Sequence, residues 1–571
     1  PRLTSFLPTL ALGLSVLTGF SAPAFAVADL EKDIQDRNYP LSLSGSYLAA
    51  LTAGRSRDLD AAVLYFDKAL ESDPQNVALI ERAFMLRLAD GSIEKAVELT
   101  EEILERDPKN RFARMALGVV ALKSKAYKNA EKEFEQIEQG PLARLTGTLL
   151  LAWTLVAEEE FDAALDVVQK LEGPAWYESF QLYHTGLIAE AAGKMDIARE
   201  NLSTAYQRDP NVLRTTEAWA RFQLRHGFDE GSESLVDDLM ARFSNRPSIQ
   251  ALADAAAADG KAKPHISNPL EGAMEVLYGL GSAIGREGGE EISYVYLQLA
   301  SYLSPDHALP RLVLGDLYED DKRYEKAIEN YDAIEEGSIF RSNATMRTAF
   351  AYNSLEKLDE ARAIMTELIE KEPDNIIAIS SYGNILRSHE LYEEARTIYD
   401  QAIKKIDPQS QSNNWSLYYS RGITNERTKR WPEAEADFRK ALELSPDQPQ
   451  VLNYLGYSLI DLGLNYEEAL EMIKVAVGLR PNDAFIVDSL GWAYYKLERY
   501  DEAVTHLERA VELRPQDPIL NDHLGDAYWK VGRKLEAVFQ WSHARDLDPE
   551  PEDLDKIVEK IENGLVEDED G

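Results

Sequence analysis

The sequence predicts an all-α fold in which paired helices form an extended array instead of one compact core. Three observations carry this. Ala62, Ala96, Ala130, Ala164 and Ala198 are each 34 residues apart, and Ala50, Phe84, Gly118, Ala152 and Gly186 lie twelve residues upstream of them. Pro74, Pro108 and Pro210 fall twelve downstream of their alanines, and a proline closes a helix because it lacks the N–H and clashes with the preceding turn. With 571 residues, 44% hydrophobic and 28% charged, the chain is apolar enough to bury cores and too long for a single one.

The elements follow in order. After Arg2 no charge appears until Asp29, and the apolar run Leu7 to Phe20 is followed by SAPAFA, residues 21–26. This reads as a secretory signal at 1–26, cleaved after Ala26 to leave Val27 and delivering the protein to the periplasm. The alternative is an uncleaved anchor over Leu3 to Ala26, which Pro8, Gly13, Gly19 and Pro23 weaken. Six repeats then span 43–246.

An irregular junction at 247–273 contains ADAAAADGKAKPHISNP, where Ala220 and Gly281 stand 61 residues apart and break the phase. It reads as a hinge between two arrays, or as one irregular repeat in a continuous superhelix. Eight repeats follow over 274–549, marked by Ala327, Ala361, Ala395, Ala434, Ala469, Ala503 and Ala537 and closed by prolines from Pro305 to Pro549. Ser232 and Ser293 replace the alanine in the two units beside the junction. EDLDKIVEKIENGL then reads as a capping helix and VEDEDG as an acidic tail, together 550–571.

The clearest unit is DAFIVDSLGWAYYKLERYDEAVTHLERAVELRP. Val487, Leu490 and Tyr494, then Val504, Leu507 and Val511, form two amphipathic helical stripes. Gly491 and Ala503 lack bulk, so the two axes can approach closely. Leu490, Gly491, Tyr494, Ala503, Leu507, Ala510 and Pro515, repeated as Leu524, Gly525, Tyr528, Ala537, Trp541, Ala544 and Pro549, resemble the tetratricopeptide (TPR) pattern. The resemblance implies a helix-turn-helix solenoid with a right-handed superhelix, here of about fourteen repeats by that 34-residue period.

Composition and motifs exclude much chemistry. Lys+Arg 61 against Asp+Glu 100 gives a net charge of −39, which repels phosphate backbones and anionic lipid, so nucleic acid is not an expected partner. With Cys 0 there is no disulfide, thiolate metal site, cysteine nucleophile or lipobox lipid anchor. His389-Glu390-Leu391-Tyr392-Glu393 places Glu393 where a zincin helix needs its second histidine. GLGSAIG at 279–285 follows no strand and has its third glycine one place late for a phosphate loop. His523 and His543 share one repeat but bring no further ligand cluster. No catalytic residue, metal or cofactor is expected, and the chain reads as a non-enzyme.

A binding face is legible in the carboxyl half. Asp488, Trp492, Tyr495 and Lys496 lie off the packing stripe of their helix at i, i+4, i+7 and i+8. Asp522, Asp526, Trp529 and Lys530 repeat the spacing, and Asn453, Tyr454, Tyr457 and Asp461 take equivalent places one repeat earlier. In TPR proteins this is the groove face, and aromatics beside polar groups suit an extended peptide. Trp492 and Trp529 have an alternative reading as core between repeats. A chaperone-tail clamp would need Lys and Asn where Asp488 and Trp492, or Asp522 and Asp526, stand, so that ligand is not expected.

The strings NYLGYSLIDLG, VDSLGWAYYKLERYDEA and HLGDAYWKVGRKLEAVFQW resemble the repeats of long proteobacterial cell-envelope TPR proteins, some of them adaptors of carboxyl-terminal processing proteases. The resemblance implies a scaffold whose protein or peptide partners include a periplasmic protease and cell-wall hydrolases. The alternatives are a structural scaffold of an envelope assembly or exopolysaccharide secretion machine, or a TPR protease. Replacing Ala503 with Leu is expected to overpack its helix pair by about 1–3 kcal/mol, read as a lower melting temperature.

Overall fold

The computed structural model describes residues 42–56, 58–227, 232–243, 246–257, 262–406 and 414–565. The signal at 1–26 and the tail VEDEDG lie outside them. Every regular element among the described residues is a helix, and none is long and apolar enough to cross a membrane. Fourteen helix pairs succeed one another, from Leu43–Arg55 with Leu59–Ser72 to Pro518–Lys530 with Lys534–Asp546. Pro247–Ala257 stands alone after the sixth pair, and Pro551–Asn563 follows the last. The architecture is the all-α solenoid that the spacing predicts.

Local chemistry sets the boundaries. Asp483 accepts hydrogen bonds from the N–H groups of Phe485 and Ile486, and Asp517 from those of Ile519 and Leu520, so each phrase after a closing proline also caps the next helix. Within a pair the chain reverses through one left-handed residue, such as Glu498 at φ 58° and Gly532 at φ 84°. The pair then closes on a notch. A Cβ on Gly491 would lie 2.6 Å from Leu507 Cγ, and one on Gly525 would lie 2.4 Å from Trp541 Nε1. Ala503 and Ala537 are fully buried in the same contacts.

The compact amino-terminal unit extends to Ala344, so the residues on both sides of the 247–273 junction belong to it. Inside this unit Pro269–Arg286 packs on Pro141–Ala157, and Glu290–Leu303 packs on Val77–Asp90 and Arg111–Lys123. The seventh pair thus covers the first helices of the second, third and fourth. A Cβ on Gly272 would come within 2.2 Å of the Trp153 ring, and Thr146 Oγ1 meets Tyr296 Oη at 2.9 Å in a buried hydrogen bond. Pro141–Ala157 is buried on nearly every side, which is what its sequence LARLTGTLLLAWTLVA requires.

The junction is tied down by charge. Arg214 donates to both carboxylate oxygens of Glu275 at 2.9 and 2.7 Å and to Glu217 at 2.7 Å. Tyr183 Oη donates to the same Glu275 at 2.8 Å and meets His265 Nε2 at 2.8 Å, while Ser248 bonds Glu217. Burial disfavours the Glu275 charge, but the Arg214 guanidinium outweighs it and holds this carboxyl well below its usual range. Burial, reinforced by Arg214, lowers His265 and keeps it neutral. A buried pair of this kind leaves an unpaired charge if its partner swings away, so Arg214 and Glu275 hold Leu213–His226 against Pro269–Arg286.

The first and eighth pairs of this unit also meet. Arg323 and Lys326 face Asp60 at 2.9 and 3.9 Å. Burial, and then the neighbouring Asp60 carboxylate, push Asp90 up to about 6, against the pull of Lys326 and the Ser92 hydroxyl. Because the folded value lies above the ordinary 3.8, the contribution of Asp90 to stability is present at low pH and is lost as pH rises through about 6. Asp90→Asn is expected to raise the melting temperature at pH 8 and to flatten its fall between about pH 4 and 6, measured by thermal denaturation across pH.

Candidate protein-binding face

In the carboxyl-terminal unit, Thr345–Gly571, helices pack mainly on neighbours in the same or adjacent repeats, and the final helix Pro551–Asn563 reaches the last first helix through Lys560. The face resembling a groove is therefore built from Trp415–Arg427, Pro449–Asp461, Ala484–Lys496 and Pro518–Lys530. Half-buried rings run along it. Trp415 and Tyr419 have centroids 6.3 Å apart, and Tyr419 meets Tyr454 at 6.0 Å, edge to face. Tyr454 Oη donates to Glu426 at 3.0 Å.

Trp492 stacks on Tyr495 at 4.8 Å and 11° and on His523 of the next first helix at 4.1 Å and 19°. It is therefore a packing residue between repeats as well as a member of the face. Lys496 is exposed, with Nζ 5.8 Å from the Trp492 ring. Trp492 Nε1 and Asn453 Oδ1 are enclosed without a hydrogen-bond partner. Burial, then Asp461 and Asp488, push Tyr457 up to about 12; burial, then Asp526, raises Tyr495 as well.

The acidic residues of the face are less open than their spacing suggests. Asp488 is 6% exposed and accepts from His523 Nδ1 at 3.0 Å. Burial opposes the imidazolium, but Asp488 and the nearby Asp522 and Asp526 outweigh it and raise His523. Asp526 is 4% exposed, accepting from Trp541 Nε1 at 2.9 Å and from Lys560. Asp522 takes Lys560 at 2.7 Å. Trp529 lies against Trp541, Lys534 and Gly564, and Lys530 is exposed. The final helix thus supplies to the last repeat what His523 supplies to the one before.

Sequence spacing alone did not show these closures, nor did it single out Tyr419, which lies 35 residues before Tyr454. His523 and His543 take separate partners, Asp488 and Asn521. His389 sits in the turn after Ile376–Ser388, bonded to Asn353, away from any second ligand position on a helix. No group of histidines and carboxylates among the described residues is arranged to hold a metal. The GLGSAIG glycines lie within Pro269–Arg286, with Gly281 against Tyr296 and Leu297.

Residues 44–76, 82–143, 351–411 and 413–484 match family models described as tetratricopeptide repeat, and 491–532 match one described as TPR repeat. The matched segments, which coincide with the helix pairs, are TPR repeats. The chain is 28% identical over 184 residues to a TPR repeat-containing protein of Pseudomonas aeruginosa, a match covering 32% of this chain and 30% of that relative. Among solved structures it is similar to the APC/C hetero-tetramer Cut9–Hcn1, with 15% identity, 95% of this chain and 99% of that chain covered, and a TM-score of 0.39. Yeast Tom70 has 14% identity over 91% of this chain and 95% of its own, with a TM-score of 0.36.

Lys560→Met keeps the aliphatic stem and removes the charge between Asp522 and Asp526. Losing these charge-assisted bonds is expected to cost about 1–3 kcal/mol. Hydrogen exchange should show it as faster opening of Pro551–Asn563, with the earlier repeats unchanged.

Proposed function

We propose that this protein is a non-catalytic adaptor of a bacterial cell envelope, holding partner proteins on the first helices of its carboxyl-terminal unit and bringing a processing protease to its substrates. One observation carries the choice of face. In the amino-terminal unit the first helices of three pairs are covered by the chain's own seventh pair, whereas in the carboxyl-terminal unit the rings of Trp415, Tyr419, Tyr457, Trp492 and Tyr495 stay half-buried and the final helix meets Pro518–Lys530. Large rings held by stacking lose little freedom on binding, so they supply contact area at low entropic cost. The signal-like amino terminus supports a periplasmic address, and the resemblance of the carboxyl-terminal repeats supports the adaptor role.

Crosslinking in intact cells followed by mass spectrometry tests this, with a Tyr457→Ala, Tyr495→Ala variant in parallel that is first shown to melt like the wild type. Capture of a protease together with cell-wall hydrolases, lost in the variant, is the expected result. Capture of assembly or secretion subunits instead would overturn the adaptor role in favour of a structural scaffold. Capture that is unaffected by the variant would overturn the assignment of the face.

A further inference from the structure

We infer that the seventh helix pair is a latch that acid releases: proton uptake at His184 and His265 frees it from the first helices it covers in the amino-terminal unit. The inference is independent of the binding face proposed above. Three of the chain's eight histidines, His184, His265 and His307, lie within electrostatic reach of the Glu275 carboxylate, which the seventh pair carries on Pro269–Arg286. Histidine is the side chain whose ordinary pKa falls between pH 5 and 8, so this is where mild acid acts first.

Hydrogen bonding fixes the state of the first one. Trp153 Nε1 donates to His184 Nδ1 at 3.1 Å, and an indole N–H can only donate, so Nδ1 carries a lone pair and the ring is neutral. His184 is 1% exposed. The same indole is the ring on which Gly272 of the seventh pair closes, with room for no Cβ. A proton on Nδ1 would set N–H against N–H and remove the bond that holds the indole in place for Gly272.

His265 lies on the segment that leads into the seventh pair. Tyr183 Oη donates to Glu275 at 2.8 Å, which leaves its oxygen to accept from His265 Nε2 at 2.8 Å. His265 therefore holds its one proton on Nε2, and a second would go to Nδ1. The charges around it are already balanced. Arg214 and Arg221 of Leu213–His226 stand against Glu275 and Glu217, while His307, before Ala308–Asp320, is lowered by burial and the phenols of Tyr183 and Tyr278 are raised by it, so these three stay uncharged. Both carboxylates are engaged, Glu275 by Arg214 and Tyr183, Glu217 by Arg214 and Ser248. An added proton would leave the cluster with a net positive charge and no acceptor to take it.

Burial lowers His184 to about 4, and burial with Arg214 lowers His265 well below the ordinary 6.5. Both docked values lie below the released one, so docking is favoured above about pH 6.5 and loses that advantage as pH falls toward the docked values. Each histidine then raises the opening constant about thirtyfold between pH 7.5 and pH 5. Asp90 acts in the opposite sense beside Asp60 and Lys326, so acid tightens the contact of the first and eighth pairs while it loosens the seventh.

Hydrogen exchange on the full chain at pH 7.5 and pH 5, expressed as protection factors, tests this. Protection of Pro269–Arg286 and of the helix it covers, Pro141–Ala157, is expected to fall by about thirtyfold or more in acid, while Ala484–Lys496 keeps its protection. His184→Asn with His265→Gln keeps an acceptor near Nδ1 and a donor near Nε2 but takes up no proton, and is expected to stay protected at pH 5. As the chain has no cysteine, Arg82→Cys with Glu291→Cys can also be joined by a bismaleimide across the contact of Val77–Asp90 with Glu290–Leu303. The joined chain is expected to stay protected in acid with both histidines present.

Protection in the wild type that does not change with pH would overturn the latch, and so would an equal loss in Ala484–Lys496, the mark of general acid loosening. Loss that persists in the histidine variant would overturn the assignment to His184 and His265. Loss that persists in the joined chain would overturn release of the seventh pair.

Discussion

The structure depends on one contact made again and again, the close approach of two helices at a notch of small residues. Gly491 and Ala503 bring one pair together around Leu507, and Gly525 and Ala537 bring the next together around Trp541. No single helix of about 13 residues is stable alone in water, so each helix exists because its partner and the following pair cover its apolar stripe. Everything larger follows from repeating that contact. The face assigned to binding is the side of the first helices that the notch does not consume.

The two units use that side differently. In the amino-terminal unit the seventh pair lies on it, with Trp153 against Gly272 and Thr146 bonded to Tyr296, and the Arg214–Glu275 pair secures the segment leading there. Such a buried ion pair adds little net stability over an apolar substitute, but it is costly to break, so it specifies which docking the chain adopts. In the carboxyl-terminal unit the rings are instead tied to one another. Trp492 links two repeats through His523, and the last repeat takes its closing contacts from Lys560 and Gly564 of the final helix.

This has a consequence for how the face can act. A ring that packs between repeats is rigid, and its substitution removes stability together with any contact to a partner. The hydroxyls of Tyr457 and Tyr495 are separable from that packing, because their rings remain when the oxygen is removed. Burial and the surrounding carboxylates raise both phenols, so they stay protonated and donate throughout the physiological range.

Much of the fold was legible in the residues themselves. The alanine interval, the closing prolines and the Asp and Asn caps are local properties, and local properties determine helix starts, helix ends and the partner within a pair. The candidate face was legible only as a register: Asp488, Trp492 and Tyr495 share one side of a helix by arithmetic. Their exposure was not, because it depends on residues 30 or more positions away, such as His523 and Lys560. The filling of the amino-terminal unit was likewise beyond local reading, although LARLTGTLLLAWTLVA, apolar on all sides, was the one signal of a helix buried from every direction. Periodicity records what each helix needs to bury. Only the tertiary structure decides which distant segment buries it, since many segments of similar composition could satisfy the same apolar demand.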